Sequence, residues 1–279
     1  MRLNEPIDPM DERIPPVVLT FSGHDPSGGA GIQADIESIN SMGCHPASLI
    51  TCLTLQDTAN VYRLIPVDSM FIREQAELLF DDYSVAAIKV GLIGTPNTAR
   101  LIAELIEKHA SCPVVLDTVL AAGGGSRLAG IELLDVIRSE LVPLATLLTP
   151  NSQEARRLGE AEDLNQCAAN LLARGAGSVL ITGTHEADEQ VLNRLYQSTA
   201  PPVISSWKRL PGSYHGSGCT LASSIAACMA NGQTLPDAVD QGLAFTWSTL
   251  ERGYRPGRGQ LIPRRSLPAG YSGIRASRQ

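Results

Sequence analysis

Residues Tyr214 to Ala222, YHGSGCTLA, set one cysteine inside a glycine-rich turn at the start of a run that reads as a helix. Gly216 and Gly218 flank Ser217, and the amides of Gly218, Cys219 and Thr220 would point out of that helix's N-terminus. Unpaired N–H groups and the helix dipole converge there, which is the geometry that binds an anion. A thiol at the same point is expected to have a lowered pKa, because the dipole favours thiolate. A small residue filling a tight turn would leave the same letters.

A second glycine-rich stretch, SGHDPSGGAGIQAD from Ser22 to Asp35, places Gly28, Gly29 and Gly31 within four residues. Such a loop lets backbone approach a ligand, and the helix behind it is expected to begin with free amides. A plain strand-to-helix turn is the alternative. The loop lacks the GKS or GKT of a Walker A motif and does not match GxGxxG. His24 and His215 flank the two loops and suit either a phosphate or a turn hydrogen bond. Two carboxylates add to the set: Asp117 in LDTV, and Glu154 in LLTPNSQEA, three residues after Asn151. Hard oxygen ligands of this kind suit magnesium held largely through water. An N-capping asparagine with an acid in the first turn reads identically.

These residues need a scaffold. Apolar, β-branched runs at 16–23, 46–56, 86–94, 113–120, 145–150 and 178–184 read as strands buried on both faces. Helical patterns lie between most of them, such as GIQADIESINSMG, stopped by Gly43, and NTARLIAELIEKHA, with Asn97 as a cap. Alternating strand and helix predicts an α/β fold with a mostly parallel sheet and helices on both faces. EQVLNRLYQS and PPVISSWKRL read as antiparallel strands at one edge, before helices at about 217–231 and 235–251. Ligands of such sheets bind outside the carboxyl ends of the strands, where both glycine loops fall.

Composition narrows the function. A chain of 279 residues, 43% hydrophobic, is large enough for one sizeable core. Its net charge of −7 and the absence of a basic stripe argue against nucleic acid or anionic lipid as partners. The polar, acidic start MRLNEPIDPMDERIPP is unlike a signal peptide, and no run of about 18 apolar residues occurs, so a cytoplasmic protein without membrane contact is expected. The six cysteines show no CxxC spacing and read as thiols. We divide the chain into an extension (1–14), one domain (15–265) and a basic, flexible tail (266–279).

Taken in order, SGHDPSGGAGIQAD, LQDT, LDTV, TPNSQEA and HGSGCTLAS resemble hydroxymethylpyrimidine/phosphomethylpyrimidine kinases, the thiamine-biosynthesis branch of the ribokinase superfamily. The resemblance implies a ribokinase-like three-layer fold, a homodimer, and two transfers from ATP with Mg²⁺: to 4-amino-5-hydroxymethyl-2-methylpyrimidine, then to its monophosphate. It places Cys219 where relatives outside this branch carry a catalytic aspartate. Gly216, Ser217, Gly218 and Cys219 become the anion hole for the transferred phosphoryl. The implied pyrimidine pocket is Gly23, Ala30, Asp35, Gln56, Leu92, Val119 and Cys219. The nucleotide side is Asp117, Asn151, Glu154, Thr182 and Ser217, with Glu154 and Asp117 facing magnesium through water.

Two departures stand out. Thr182 in TGTH occupies the place of a phosphate-facing lysine of many members, and Leu243 that of a second. His185, Lys208, Arg209 and the arginines between Arg252 and Arg265 are candidate replacements; the stretch after Glu251 has seven arginines and no acid. A pyridoxal or pyridoxine kinase is the nearest rival reading, and a regulatory pyrimidine-binding module the non-catalytic one.

Overall fold

In this computed structural model, residues 14–120, 130–266 and 277–278 are described. The extension and the tail therefore lie almost wholly outside the described residues. Runs without polar interruption form the central strands. The strand β1 (Val17–His24) buries seven consecutive residues, as a strand covered on both faces must. Beside it run β2 (His45–Gln56) and β4 (Val85–Val90), followed outward by β5 (Val114–Leu116), β6 (Leu147–Leu148) and β7 (Ser178–Ile181), all parallel. Antiparallel strands close both edges. A strand absent from the sequence reading, β3 (Val61–Pro66), pairs with β2; β8 (Gln190–Gln197), β9 (Ala200–Lys208) and β10 (Ser277–Arg278) extend the sheet beyond β7.

Period-two alternation sends successive β residues to opposite faces, and each face has its own helices. Leu19, Phe21, Ile88, Val90 and Leu148 pack under α2 (Ser69–Asp82), α3 (Pro96–His109), α4 (Ile131–Val136), α5 (Ser152–Gly159) and α6 (Leu164–Ala173). Val18, Ala87, Val115, Leu147 and Leu180 pack under α1 (Gly31–Ser41), α7 (Ser217–Ala230) and α8 (Leu235–Glu251). Each fully buried Leu, Ile or Phe contributes about 1.5–3 kcal/mol. The cap expected at Asn97 falls instead on Thr95, whose Oγ1 accepts from the Thr98 amide at 3.1 Å. Pro96 explains the shift: a residue without N–H suits the first helical position, so the helix starts earlier. Among the described residues no helix is long and apolar enough to cross a membrane.

The sheet order is β10-β9-β8-β7-β6-β5-β4-β1-β2-β3. From β1 the chain steps to β2 on one side, whereas β4 lies on the other, so the loops leaving β1 and β4 part and open a crevice at their carboxyl ends.

Candidate active site

A charged network lies beneath that crevice. Lys89, on β4, is fully buried; its Nζ lies 2.8 and 3.0 Å from the two carboxylate oxygens of Asp35 and 3.9 Å from Oδ2 of Asp117. Asp35 also accepts from Thr20 and Ser223 hydroxyls, both at 2.8 Å. Both carboxylate oxygens of Asp35 are thus engaged by groups of the chain itself. Burial opposes the charge on Lys89, but the Asp35 carboxylate foremost, with Asp117, outweighs it and holds the amine protonated. Burial pushes the Asp117 carboxyl up to about 6, against the pull of Lys89. Its Oδ2 has no hydrogen-bond partner.

Cys219 corrects the expected thiolate. It sits in the first turn of α7, but burial, the largest influence, pushes its thiol up to about 12, and Lys89 only partly offsets this. The neighbouring carboxylates of Asp117 and Asp35 push the same way. Half-buried by surface exposure, Cys219 keeps its proton at neutral pH.

The two glycine loops touch. Gly216 caps α7 at φ +78°, and a Cβ there would lie 2.9 Å from the Ala30 Cα. The first backbone bond of α7 runs from Thr220 N–H to the Gly216 carbonyl at 3.0 Å, so the preceding amides project from the helix end without intrahelical acceptors. No side chain caps them. No side chain caps α1 either, but the amides of the loop ahead of it are taken. Asp25, 1% exposed, accepts from the amides of Ser27 (2.8 Å), Gly29 (3.1 Å) and Ala30 (2.8 Å). His215 Nε2 completes the set at 2.8 Å from Asp25 Oδ2. Burial works against ionisation of Asp25, yet these bonds hold its carboxyl below the ordinary value.

Of the expected pyrimidine residues, Gly23 and Leu92 lie against each other. A Cβ on Gly23 would lie 2.9 Å from Leu92 and 3.0 Å from the Cys52 sulfur. Gln56 ends β2, half-buried, and donates to Thr54 Oγ1, which in turn donates to the His24 carbonyl at 2.8 Å. Ala30 is the N-cap of α1, and half-buried Val119 donates its amide to the Asp117 carbonyl at 2.9 Å.

On the nucleotide side, Asn151 and Glu154 form a capping box: Asn151 Oδ1 accepts from the Glu154 amide (2.9 Å), and Glu154 Oε2 from the Asn151 amide (3.0 Å). The capping reading of NSQE is therefore real, and the carboxylate remains beside Asp117. Burial first, then the charge of Asp117, push Glu154 up to about 8. Thr182 pairs its backbone with this loop, its carbonyl accepting from the Ser152 amide at 3.1 Å. Half-buried Ser217 opens α7. Leu243, 5% exposed, packs in the core under α7. Of the candidate replacement cations, Arg209 donates to the carbonyls of Thr184, Glu186 and Asp188. Arg264 stacks on Tyr254, and His185 and Lys208 are exposed.

Sequence reasoning missed Lys89, Asp25, Thr54 and Cys52. Two of these had a signal. A lone lysine in AAIKVGLIG, a strand covered on both faces, must have a buried partner, and Asp-Pro-Ser-Gly is an Asx-turn pattern whose carboxylate binds its own backbone.

A parallel sheet with this switch point, antiparallel extensions at both edges and an uncapped helix end aimed at the crevice defines a ribokinase-like kinase. Within that class, a sequence model for phosphomethylpyrimidine kinase matches residues 25–263, and the chain belongs to that family. The hydroxymethylpyrimidine/phosphomethylpyrimidine kinase of Mycobacterium tuberculosis is 36% identical over 252 residues, covering 88% of this chain and 92% of that one. Among solved structures, a Clostridium difficile phosphomethylpyrimidine kinase superposes with TM-score 0.75 at 28% identity, over 84% of this chain and 99% of that one. A Staphylococcus aureus pyridoxal kinase in complex with pyridoxal reaches TM-score 0.86 at 23% identity, over 95% of this chain and 98% of that one, a likeness of fold.

Proposed function

We propose that the chain transfers phosphate from ATP to the hydroxymethyl oxygen of 4-amino-5-hydroxymethyl-2-methylpyrimidine, and then a second phosphate to the monophosphate so formed. What supports it is the uncapped α7 end, where a Cβ on Gly218 would lie 3.7 Å from Asp117 Oδ1, together with the Gly23–Leu92 contact, in a chain of this family. Phosphoryl transfer needs positioning and charge stabilisation more than covalent help. The amides of Ser217 to Cys219 receive the charge that grows on the transferred group. Gln56 offers one donor and one acceptor, the match for an aminopyrimidine edge. Cys219, a thiol at neutral pH, lines the site; positioning, not proton abstraction by sulfur, carries the rate.

Magnesium, when bound, neutralises phosphate charge; the orphaned Oδ2 of Asp117 and the Glu154 carboxylate beside it fit a cation held through water. Lys89 is the fixed cation that keeps these acids compatible in one buried place. A homodimer belongs to the same reading: Leu53, Leu55, Tyr62, Ile65, Met70 and Phe71 leave an exposed apolar face on β2, β3 and α2, which a second copy would cover. A cytoplasmic location, with neither nucleic acid nor membrane as partner, completes it.

The deciding experiment is phosphate transfer from ATP by the purified protein to hydroxymethylpyrimidine, its monophosphate and pyridoxal. Turnover of the first two is expected; turnover of pyridoxal alone would replace this reading with the pyridoxal kinase one. Gln56→Leu should raise KM for the pyrimidine by about tenfold to a hundredfold, from a polar edge left unpaired at roughly 1–3 kcal/mol, with ATP unaffected.

A further inference from the structure

Arg265 is the largest fully buried side chain among the described residues, and it is neither one of the expected pyrimidine residues nor part of the carboxylate cluster. The segment that delivers it leaves α8 and folds back along the second glycine loop. The His215 amide donates to the Leu261 carbonyl at 2.8 Å, the Leu261 amide to the Ser213 carbonyl at 2.9 Å, and the Arg264 amide to the Thr249 carbonyl at 3.0 Å. Arg265 then reaches three places with one planar group. Its Nε donates to Thr220 Oγ1 at 2.8 Å, its Nη1 to Glu37 Oε2 at 3.0 Å, and its Nη2 to the Gly29 carbonyl. Ser41 Oγ donates to the Arg265 carbonyl at 2.8 Å.

These partners lie on the first glycine loop, on α1 and in the first turn of α7. Thr220 Oγ1 also donates to the Gly216 carbonyl at 2.8 Å, so the guanidinium is two hydrogen bonds from the residue that caps α7. A Cβ on Gly216 would sit 2.9 Å from Nη2. Burying a guanidinium is costly unless its fork is filled, and a lysine, with a compact ammonium, cannot span the same three acceptors. The sequence-based expectation that this arginine replaces a phosphate-facing lysine is not met, because its nitrogens face the protein's own acceptors.

We propose that Arg265 is a positioning residue for phosphoryl transfer: it pins the two glycine loops together and so fixes the direction of the α7 amides that receive the phosphoryl charge. The proposal rests on the kinase reading above. Small misplacement of a charge-stabilising group is felt in turnover, because those contacts count most in the transition state.

The test compares wild type, Arg265→Lys and Arg265→Ala in steady-state kinetics with hydroxymethylpyrimidine and ATP, together with amide hydrogen exchange read by peptide. Both variants are expected to lose at least about tenfold in kcat, with KM for the pyrimidine unchanged, since Gln56 and Leu92 are untouched. Exchange should quicken in peptides covering 214–221 and 28–33 and stay constant in the β2–β3 hairpin. Added guanidinium should restore part of the Arg265→Ala rate, and methylammonium should not. Wild-type kcat in either variant, a loss confined to pyrimidine KM, or unchanged exchange around Gly216 overturns the proposal. If Arg265→Ala fails to fold, Arg265→Lys carries the same kinetic and exchange criteria. Absent pyrimidine turnover in the wild type sinks the functional reading, while the exchange comparison still decides the role of Arg265.

Discussion

Two glycine-rich turns, Asp25–Gly31 and His215–Thr220, meet at Gly216 and read alike in sequence, yet they do opposite things with their amides. In the first, Asp25 takes three amides of its own loop and the His215 ring as well. In the second, no side chain bonds the amides, and the helix end stays open. Glycine content therefore predicts only that backbone comes close. Whether a turn binds an anion depends on whether the chain supplies an anion of its own, and the first loop does.

The largest effect expected from this contrast is on stability. Asp25→Ala leaves three amides and an imidazole nitrogen without their acceptor, at about 1–3 kcal/mol for each one that stays dry, so a loss of at least about 3 kcal/mol is expected in denaturant unfolding. Ser217→Ala, in the open turn, should stay within about 0.5 kcal/mol of wild type. Similar losses in both would erase the distinction between the loops.

Glu154 gives a medium-sized test on the nucleotide side. Its carboxyl is pushed up to about 8, so it holds a proton at neutral pH and must release it to face a cation. The Mg²⁺ concentration for half-maximal rate should fall as pH rises from about 7 to about 9 in the wild type. Glu154→Gln, which cannot ionise, should need several-fold more Mg²⁺ and lose that pH trend. Identical magnesium titrations across pH for the two proteins would remove Glu154 from the metal's surroundings.

Much of this was legible in the sequence. The strand runs, the edge hairpin before two long helices and both glycine loops follow from local pattern, because periodicity and turn chemistry are local properties. What escaped depends on distant partners. Nothing local tells that Asp35 pairs with Lys89, 54 residues on, or that Ser223 donates to the same carboxylate. The thiol of Cys219 was misread for a related reason: a helix N-terminus lowers a pKa, but the burial that outweighs it belongs to the assembled sheet. Arg265 shows the same limit: its charge suggested a phosphate contact, and its acceptors on the two loops lie far off in sequence.

The smallest expected effect follows from that correction. Since Cys219 stays protonated at neutral pH, Cys219→Ser should lose less than about tenfold in kcat, under about 1.4 kcal/mol, and alkylation of Cys219 at pH 7 should be slow. A much larger loss, or Cys219 reacting first among the six, would return the sulfur to the role of base.

The central claim is that α7, not the first glycine loop, receives the transferred phosphoryl. A crystal structure with a non-hydrolysable ATP analogue and hydroxymethylpyrimidine tests it directly. The terminal phosphate should lie within hydrogen-bond distance of the Gly218 and Cys219 amides, with Asp25 still holding Gly29 and Ala30. A phosphate seated on the Gly29 and Ala30 amides, with Asp25 displaced, would contradict it.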